Sequence, residues 1–179
     1  MAKLIGTKTY ENLKIAFAGE AQACLKYQYY SKKAKKEGYN LVSSFFDEAS
    51  KNEKEHAKIW FKLINDDIKI TKENLLDAIK SEDYEYKEMY KDFSEVAKEE
   101  GFDDISKLFA MIANIENHHS NKFSQLLESI ENNTIFESNE KAIWICTNCG
   151  HIHVGKEPPE SCPVCKHPKA YFVREKSVI

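Results

Sequence analysis

An internal repeat constrains the fold of this chain more than any other feature. The segment AKKEGY at residues 34–39 recurs 63 positions later as AKEEGF at residues 97–102. The same shift aligns a tyrosine and both residues of a Glu-x-x-His motif: Tyr27 with Tyr90, Glu53 with Glu116, and His56 with His119. Similar helix ends alone would not align these side chains as well. The repeat therefore predicts two copies of one helical unit.

Apolar residues at helical spacing predict two long amphipathic helices in each copy. The first copy covers residues 8–36 and 41–64, and the second covers about 71–100 and 103–130. Gly38 and Gly101 are expected to end the first helix of each copy, because glycine tolerates the left-handed backbone found there. Thr71 is expected to cap the third helix with its hydroxyl. The predicted fold class is mainly α, with four helices.

One acidic residue is displaced in the repeat. Glu20 in the first helix has its counterpart at Glu82, which lies 62 rather than 63 positions later. A single turn of π-helix accommodates such an additional residue without ending the helix. The displacement therefore predicts a π-bulge within residues 80–92.

Six residues match the ligand pattern of carboxylate-bridged dimetal bundles. In that pattern two helices each supply one Glu, and the other two each supply an inward Glu-x-x-His. The matching residues are Glu20, Glu82, Glu53 with His56, and Glu116 with His119. Four carboxylates balance two divalent cations, and carboxylate oxygen with histidine nitrogen suits iron or manganese. Each acid taken singly is more typical of a solvated helix surface, but the duplicated register favours a dimetal site.

Several neighbouring residues have two interpretations. Glu85, one turn beyond the third-helix acid, is either a further carboxylate ligand or a surface acid. Tyr27 and Tyr90 are either donors of hydrogen bonds to ligand carboxylates or simply core residues. Cys24 is expected in the core. His118 points about 100° away from the neighbouring histidine and is expected at the surface.

Four cysteines near the C-terminus form the motif Cys-x2-Cys-x12-Cys-x2-Cys: Cys146, Cys149, Cys162 and Cys165. Four thiolates make a tetrahedral site for either zinc, which would be structural, or iron, which would carry electrons. A domain of about 40 residues has too small a core to be stable without such a metal. Trp144, Tyr171 and Phe172 are expected to form its aromatic core.

Composition and charge exclude several classes of partner. The net charge is only −3 and the charged residues are interspersed, which argues against nucleic acid and anionic membranes. No apolar run approaches the roughly 18 residues of a membrane span, and no signal peptide is recognisable. Clustered cysteines favour a metal site over disulfides. These features predict a cytoplasmic protein.

Domain boundaries follow from the loss of apolar periodicity between Asn132 and Lys141. We expect a helical domain at residues 1–135 and a linker at residues 136–140. Residues 141–179, which contain all four prolines, are expected to form a small metal-bound domain of short strands and turns.

Together, several motifs resemble the rubrerythrin family. They are AFAGEAQA at residues 16–23, the two Glu-x-x-His pairs, Glu82-x-x-Glu85 followed by Met89-Tyr90, and the four-cysteine module. The resemblance implies a ferritin-like four-helix bundle with a carboxylate-bridged di-iron site, and a rubredoxin-like domain with one Fe(Cys)4 centre, where zinc is a possible substitute. It further implies reduction of hydrogen peroxide to water in oxidative-stress defence.

The resemblance also implies roles for individual residues. The catalytic di-iron ligands would be Glu20, Glu53, Glu82, Glu85, Glu116 and His119, with His56 engaged in the reduced state. We expect a redox switch in which Glu85 binds diferric iron and His56 binds diferrous iron. Electrons would come from an external donor, a rubredoxin or a reductase. The family pattern departs here at Lys91, where proline is frequent, and at Ser81, where glycine is frequent.

The connection between the two copies is short. The seven residues from Asn65 to Thr71 extend at most ~25 Å, and a crossover along helices of this length needs about that or more. Because short connections favour swapping, we expect helix pairs exchanged between two chains. The resemblance also implies a homodimer or higher oligomer.

Two rival functions explain only part of the sequence. A ferroxidase or iron-storage protein would use the dimetal site but gives the four cysteines no task. A non-enzymatic metal-binding module with a structural zinc ribbon would use the cysteines but not the acids on the apolar helix faces.

Overall fold

In a computed structural model, which describes residues 4–175, four long helical rods precede a small β module. The first pair of rods is α1 (Lys8–Lys36) and α2 (Asn40–Asn65). The third rod is continuous through α3 (Thr71–Tyr84), a π-helical segment (Glu85–Met89, hereafter the π segment) and α4 (Tyr90–Glu99). The fourth is α5 (Asp103–Glu131). The predicted fold class is confirmed.

The chain divides into two compact units between Lys69 and Ile70. The first unit contains α1 and α2, which we call the first helix pair. The second contains α3, the π segment, α4 and α5, which we call the second helix pair, together with the β module. Within the described residues, no helix is long and apolar enough to cross a membrane.

The ends of the helices follow from local chemistry. The Thr7 hydroxyl caps α1 by accepting a hydrogen bond from the Tyr10 backbone N–H at 3.1 Å. Gly38 and Gly101 adopt φ values of +85° and +83°, as predicted for the residues that end the first helix of each copy. The prediction for Thr71 is wrong. The N-cap is Ile70, whose backbone is extended, and Thr71 is already the first helical residue.

The predicted π-bulge is confirmed by the π segment. Seven positions separate Glu20 from Tyr27, whereas eight separate Glu82 from Tyr90. Because the π segment lies between Glu82 and Tyr90, it absorbs the additional residue. The acid and the tyrosine of the third rod therefore keep the faces that their counterparts have on α1.

Within each helix pair, equivalent contacts hold its two rods together. In each pair a buried serine of one rod meets a buried or partly buried serine of the other: Ser31 with Ser43 at 2.9 Å, and Ser94 with Ser106 at 3.0 Å. Each pair also has a cluster of three aromatic rings: Tyr27, Tyr30 and Phe46 in the first, and Tyr90, Phe93 and Phe109 in the second. All of these positions are related by the 63-residue shift.

The β module is a three-stranded antiparallel sheet. Its strands are β1 (Ala142–Cys146), β2 (Ile152–Gly155) and β3 (Phe172–Arg174), in the order β2-β1-β3. Residues 132–141 connect α5 to β1 through turns and irregular backbone.

The core of this module is small. Trp144 and Phe172 are 1% and 2% exposed and pack with two of the cysteines. Tyr171 is 40% exposed, so its predicted place in the core is wrong. It ends a short 3-10 turn (Lys169–Tyr171) immediately before β3. Its ring packs outside the core against that of His167, with 4.4 Å between the ring centres.

Candidate metal centres

The first helix pair brings together three of the predicted ligands. Glu53 and His56 lie one turn apart on α2, and His56 Nδ1 is 2.8 Å from Glu53 Oε2. Glu20 projects from α1, and its Oε1 is 4.0 Å from the same nitrogen. One donor atom from each residue lies within 4.8 Å of the others. We call this group the first half-site.

The second helix pair repeats this arrangement closely. His119 Nδ1 is 2.7 Å from Glu116 Oε2 on α5 and 3.7 Å from Glu82 Oε2 on α3. These three residues also offer donor atoms within 4.8 Å of one another. We call them the second half-site. The two groups differ by at most 0.3 Å in the corresponding distances, although one comes from a regular helix and the other from a rod with a π segment.

The donor sets fit divalent iron. Ligand atoms bound to one ion at about 2.1 Å must lie roughly 3 to 4 Å apart, and the distances in both half-sites are close to that range. Two carboxylates and one imidazole per half-site are ligands that suit iron. The acids are mostly withdrawn from solvent, since the side chain of Glu116 is 16% exposed and that of Glu82 is 21% exposed.

Electrostatics in the second half-site also favour a cation. Burial raises the pKa of Glu82, and the hydrogen bond and the charge of Glu116 raise it further. Glu85 acts in the same direction, while His119 opposes it. Since like charges at short range disfavour ionisation, a bound cation would relieve the repulsion among these acids.

Glu85 lies beside the second half-site without joining its compact group of three. It begins the π segment, and its charge raises the pKa of both Glu82 and Tyr90. Three positions after Glu20 the first helix pair has Ala23. At this position the second helix pair therefore has a carboxylate and the first does not.

The two predicted tyrosines have equivalent ring contacts. Tyr27 packs on Tyr30 and Phe46, and Tyr90 packs on their counterparts. Burial is the main cause that raises the pKa of Tyr90, followed by the charges of three acids near the half-site: Glu85, Glu116 and Glu82. The Tyr90 phenol is therefore close to the ligand carboxylates and remains neutral.

Two further predictions concern residues near the ligands. His118 is exposed, as predicted. Cys24 is only partly buried and is more polar in its contacts than a simple core residue. Its sulfur lies 3.5 Å from both Ser50 Oγ and Gln28 Nε2, and Ser50 donates a hydrogen bond to the Cys24 carbonyl at 2.9 Å. This contact ties α1 to α2 one turn from the ligands.

The four cysteines of the β module converge on one point. Their sulfur atoms lie within 4.8 Å of one another. The Cys146–Cys165 and Cys149–Cys162 sulfur separations are both 3.7 Å. A tetrahedral ion with metal–sulfur bonds of about 2.3 Å requires sulfurs about 3.8 Å apart. The cage therefore has the size of a four-sulfur metal site.

Two equivalent turns build this cage. In the first, the Gly150 N–H donates to the Cys146 carbonyl at 2.8 Å, and in the second the Lys166 N–H donates to the Cys162 carbonyl at 2.9 Å. Both turns need a left-handed residue after the second cysteine. The first uses Gly150 at φ +75°, whereas the second uses Lys166 at φ +63°.

Backbone groups in these turns act on the thiols. The His167 N–H is the main cause that lowers the pKa of Cys165, to about 5. The His151 N–H likewise acts to lower the pKa of Cys149, but hydrogen bonds from the other sulfurs, Cys165 first, together with burial raise it to about 12. Because cysteine binds a metal as the thiolate, metal binding to this cage releases protons.

The second half-site has a neighbouring polar contact that the sequence did not predict. Asp83 follows Glu82, and its Oδ1 accepts a hydrogen bond at 2.6 Å from Ser120, which follows His119. The only available signal was that both residues adjoin predicted ligands, and Asp83 was one of several acids in this segment.

Comparisons with known proteins agree over most of the chain. The family model described as rubrerythrin matches residues 11–127, and that described as the rubrerythrin, rubredoxin-like domain matches residues 144–173. Rubrerythrin-1 of Clostridium acetobutylicum is 43% identical, with 96% of each chain covered. The rubrerythrin of Clostridium perfringens matches to the same extent. That of Nitratidesulfovibrio vulgaris is 39% identical, also over 96% of each chain.

Proposed function

The chain belongs to the rubrerythrin family, and from this premise we propose that it is a peroxidase that reduces hydrogen peroxide to water. It is an iron oxidoreductase whose residues hold a carboxylate-bridged di-iron site and one Fe(Cys)4 centre. The observation that carries the proposal is the pairing of these two chemically different sites. Oxygen and nitrogen ligands serve a reactive site, whereas a cage of four sulfurs has no position for a substrate.

The reaction consumes two electrons and two protons for each peroxide and yields two waters. When bound, the two irons supply both electrons. Glu20, Glu53, Glu82 and Glu116 hold their charge as it increases on oxidation. Tyr90, a neutral phenol close to the acids of the second half-site, is placed to donate a hydrogen bond to a ligand carboxylate. Tyr27 is the corresponding residue in the first helix pair.

Electrons would enter through the cysteine cage. Cys149 is exposed and Cys165 is partly exposed, so an external protein can approach these two sulfurs. Cys146 and Cys162 are 0% exposed and anchor the iron from within the module. We propose a rubredoxin or a reductase as the donor, with the Fe(Cys)4 centre passing electrons to the di-iron site.

We also propose that Glu85 and His56 exchange as ligands during turnover. Glu85 is anionic and suits ferric iron, and His56 is neutral when bound and suits ferrous iron. A difference between the helix pairs supports this exchange. Glu85 places a further carboxylate beside the second half-site, whereas the first helix pair has Ala23 at that position. Glu53, Glu116 and His119 would stay bound in both states.

Two copies of the chain are proposed to form the active assembly, with exchanged helix pairs. The connection between α2 and α3 is only residues 66–70. Equivalent apolar side chains are exposed on the two helix pairs: Val42 with Ile105, at 47% each, and Phe45 with Leu108, at 68% and 51%. A bundle buries such faces. Each di-iron site would then combine the first half-site of one copy with the second half-site of its partner.

Co-expression of two inactive variants tests the exchange. One chain carries Glu53→Ala with His56→Ala, and the other carries Glu116→Ala with His119→Ala. In exchanged heterodimers one site receives both intact half-sites, so about half of the di-iron content per dimer should return. Without exchange every site contains a damaged half-site, and no di-iron signal should return beyond that of either variant alone.

The proposed functional division keeps a helical domain at residues 1–135, a linker at 136–140 and an electron-transfer domain at 141–179. This division assigns peroxide chemistry to the first domain and electron entry to the last. The cytoplasmic location stays a prediction from the sequence.

Anaerobic turnover with reduced rubredoxin as the electron source tests the peroxidase activity. We expect two donor electrons to be consumed for each peroxide, without release of dioxygen. Absence of turnover above that of the Glu116→Ala variant would overturn the proposal. Storage of many ferric ions per chain would instead support the ferroxidase alternative, which leaves the cysteine cage without a role. A colourless, redox-inactive cage would support the zinc-ribbon alternative.

A further inference from the structure

Asp83 makes two polar contacts beside the second half-site. Both of its carboxylate oxygens are engaged, and each connects to a different part of the second helix pair. Oδ1 accepts a hydrogen bond from Ser120 on α5 at 2.6 Å. Oδ2 lies 2.5 Å from the Nζ atom of Lys87, which is a residue of the π segment. Asp83 therefore joins three pieces of backbone: α3, the π segment and α5.

The positions of these partners relate the contacts to the metal ligands. Asp83 directly follows Glu82, and Ser120 directly follows His119. Lys87 lies two residues after Glu85. Ser120 is only 5% exposed, so its hydroxyl needs a partner in the protein, and Asp83 supplies it. Asp83 thus directly follows Glu82, and its two partners lie two residues after Glu85 and one residue after His119.

A π-helical turn needs support from its surroundings. Such turns are rare and occur mostly as single interruptions of α-helices at functional sites. In this chain the π segment begins with Glu85, the additional acid of the second helix pair. The Asp83–Lys87 ion pair spans the junction between α3 and the π segment. The Asp83–Ser120 bond fastens that junction to α5.

The first helix pair provides an internal control. The residue after Glu20 is Ala21, and the residue after His56 is Ala57, so neither side chain can form such a contact. The corresponding rod, α1, is a regular α-helix throughout, and Ala23 stands where the second pair has Glu85. The Asp83 contacts, the π segment and Glu85 therefore occur together in the second helix pair, and the first helix pair lacks all three.

We infer that Asp83 is a positioning residue that holds the π segment on α5, and so keeps Glu82, Glu85 and His119 in a metal-binding arrangement. The inference deepens the proposed function, on which it rests for the role of the bound metal. Ser120 and Lys87 are the groups through which Asp83 acts. None of the three is assigned to contact peroxide.

Four variants separate this role from general stabilisation. Asp83→Ala removes both contacts. Asp83→Asn retains an acceptor for Ser120 but weakens the pairing with Lys87. Ser120→Ala removes only the bond to α5, and Ser120→Thr retains a hydroxyl. The matched control is Ser106→Ala, which removes a buried hydroxyl between the same two rods, in the Ser94–Ser106 contact away from the ligands.

The first readout is amide hydrogen exchange at residues 85–89 of the metal-free protein. We expect exchange to accelerate most in Asp83→Ala, less in Asp83→Asn and Ser120→Ala, and least in Ser120→Thr. The Ser106→Ala control should accelerate exchange at these amides clearly less than Asp83→Ala does. Equal acceleration in the control and in the Asp83 variants would reduce Asp83 to a general stabiliser and overturn the inference.

The second readout is titration with cobalt(II), followed by its visible absorption. Loss of groups that orient metal ligands typically weakens metal binding by about 10-fold to 100-fold. We expect cobalt affinity to fall by that factor in Asp83→Ala. Ser120→Thr, which retains the hydroxyl, should bind cobalt nearly as tightly as the wild type. Unchanged cobalt affinity and unchanged exchange in Asp83→Ala would overturn the inference. Both readouts are independent of peroxide turnover. If the wild type fails to reduce peroxide, the proposed function fails, while these measurements still decide the role of Asp83.

Discussion

The two helix pairs share one pattern of contacts and differ in a small region. Away from the ligands they match: both retain the serine contact, the cluster of three rings and the glycine that ends the first rod. Near the ligands they diverge. The first pair has a regular helix and a hydrogen bond from Ser50 to the Cys24 carbonyl. The second pair has the π segment and a hydrogen bond from Ser120 to Asp83.

The matching contacts and the differing contacts lie in separate parts of each helix pair. The shared contacts lie where the two rods of each pair touch, so they preserve the spacing between rods. The differences lie beside the two half-sites. Because the second pair has Glu85 where the first has Ala23, two half-sites of nearly equal geometry have different neighbouring side chains.

The largest expected effect comes from removing the central acid of either half-site. Glu53→Ala and Glu116→Ala should each abolish the di-iron site, because each residue supplies a carboxylate on its own helix and no neighbour replaces it. Iron analysis and the absorption of the oxidised site measure the loss. Glu55→Ala is the control, since Glu55 is an exposed partner of Lys58 on the same helix as Glu53. Retention of a full di-iron site in Glu116→Ala would contradict the assignment of its ligands.

The next effect separates the two histidines. His56→Ala should retain the oxidised di-iron spectrum yet slow turnover by about 10-fold to 100-fold, because Glu85 satisfies the ferric state. His119→Ala should lose the site in both oxidation states. Spectra of the oxidised and dithionite-reduced proteins, together with steady-state rates, decide between them. Equal losses of the oxidised site in both variants would mean that the half-sites are equivalent.

A smaller effect concerns the serine contacts that the pairs share. Ser43→Ala should lower the free energy of unfolding by about 1 to 3 kcal/mol, since it leaves the Ser31 hydroxyl without its bond. Ser106→Ala should cost about 0.5 to 1.5 kcal/mol, since it removes the hydrogen bond that Ser106 donates to the Ser94 carbonyl, while the Ser94 hydroxyl still donates to the Ser106 carbonyl. The double variants Ser31→Ala with Ser43→Ala, and Ser94→Ala with Ser106→Ala, should cost less than the sum of their single variants. Chemical denaturation of the metal-free protein gives these values. Strict additivity in both pairs would show that the hydroxyls do not interact.

The smallest effect applies the same comparison to the two turns of the cysteine cage. Gly150→Lys should destabilise the module by about 1 to 2 kcal/mol, because a side chain makes the left-handed backbone costly. Lys166→Gly should stabilise it by at most about 1 kcal/mol, because glycine adopts that backbone readily but loses more entropy on folding. Thermal unfolding of the zinc-loaded protein measures both. Destabilisation by Lys166→Gly would mean that the Lys166 side chain contributes contacts that outweigh its backbone strain.

Features that depend on counting residues were predictable from the sequence. The repeat located the four rods, and the 62-position displacement of Glu82 predicted the π segment. The spacing of Cys146, Cys149, Cys162 and Cys165 predicted their convergence. In each case the information lies along the chain itself, as a period or a spacing.

Features that depend on neighbours distant in sequence were not predictable. Ser94 and Ser106 are ordinary polar residues until two rods bring them together. Asp83 was one of several acids in its segment, and only the position of Ser120 on α5 distinguishes it. The predictions for Thr71 and Tyr171 were wrong because a shift of one residue in the backbone decides which side chain caps a helix or enters a core.

The most direct test of the account is a single-turnover comparison of hydrogen peroxide and dioxygen. The protein is fully reduced without oxygen and mixed rapidly with either oxidant, and the absorption of the oxidised di-iron site is followed with time. We predict that peroxide oxidises the site at least about tenfold faster than dioxygen, a difference of about 1.4 kcal/mol in activation free energy, with one peroxide consumed per di-iron site. Oxidation by dioxygen at an equal or greater rate would contradict the assignment as a peroxidase and favour a ferroxidase.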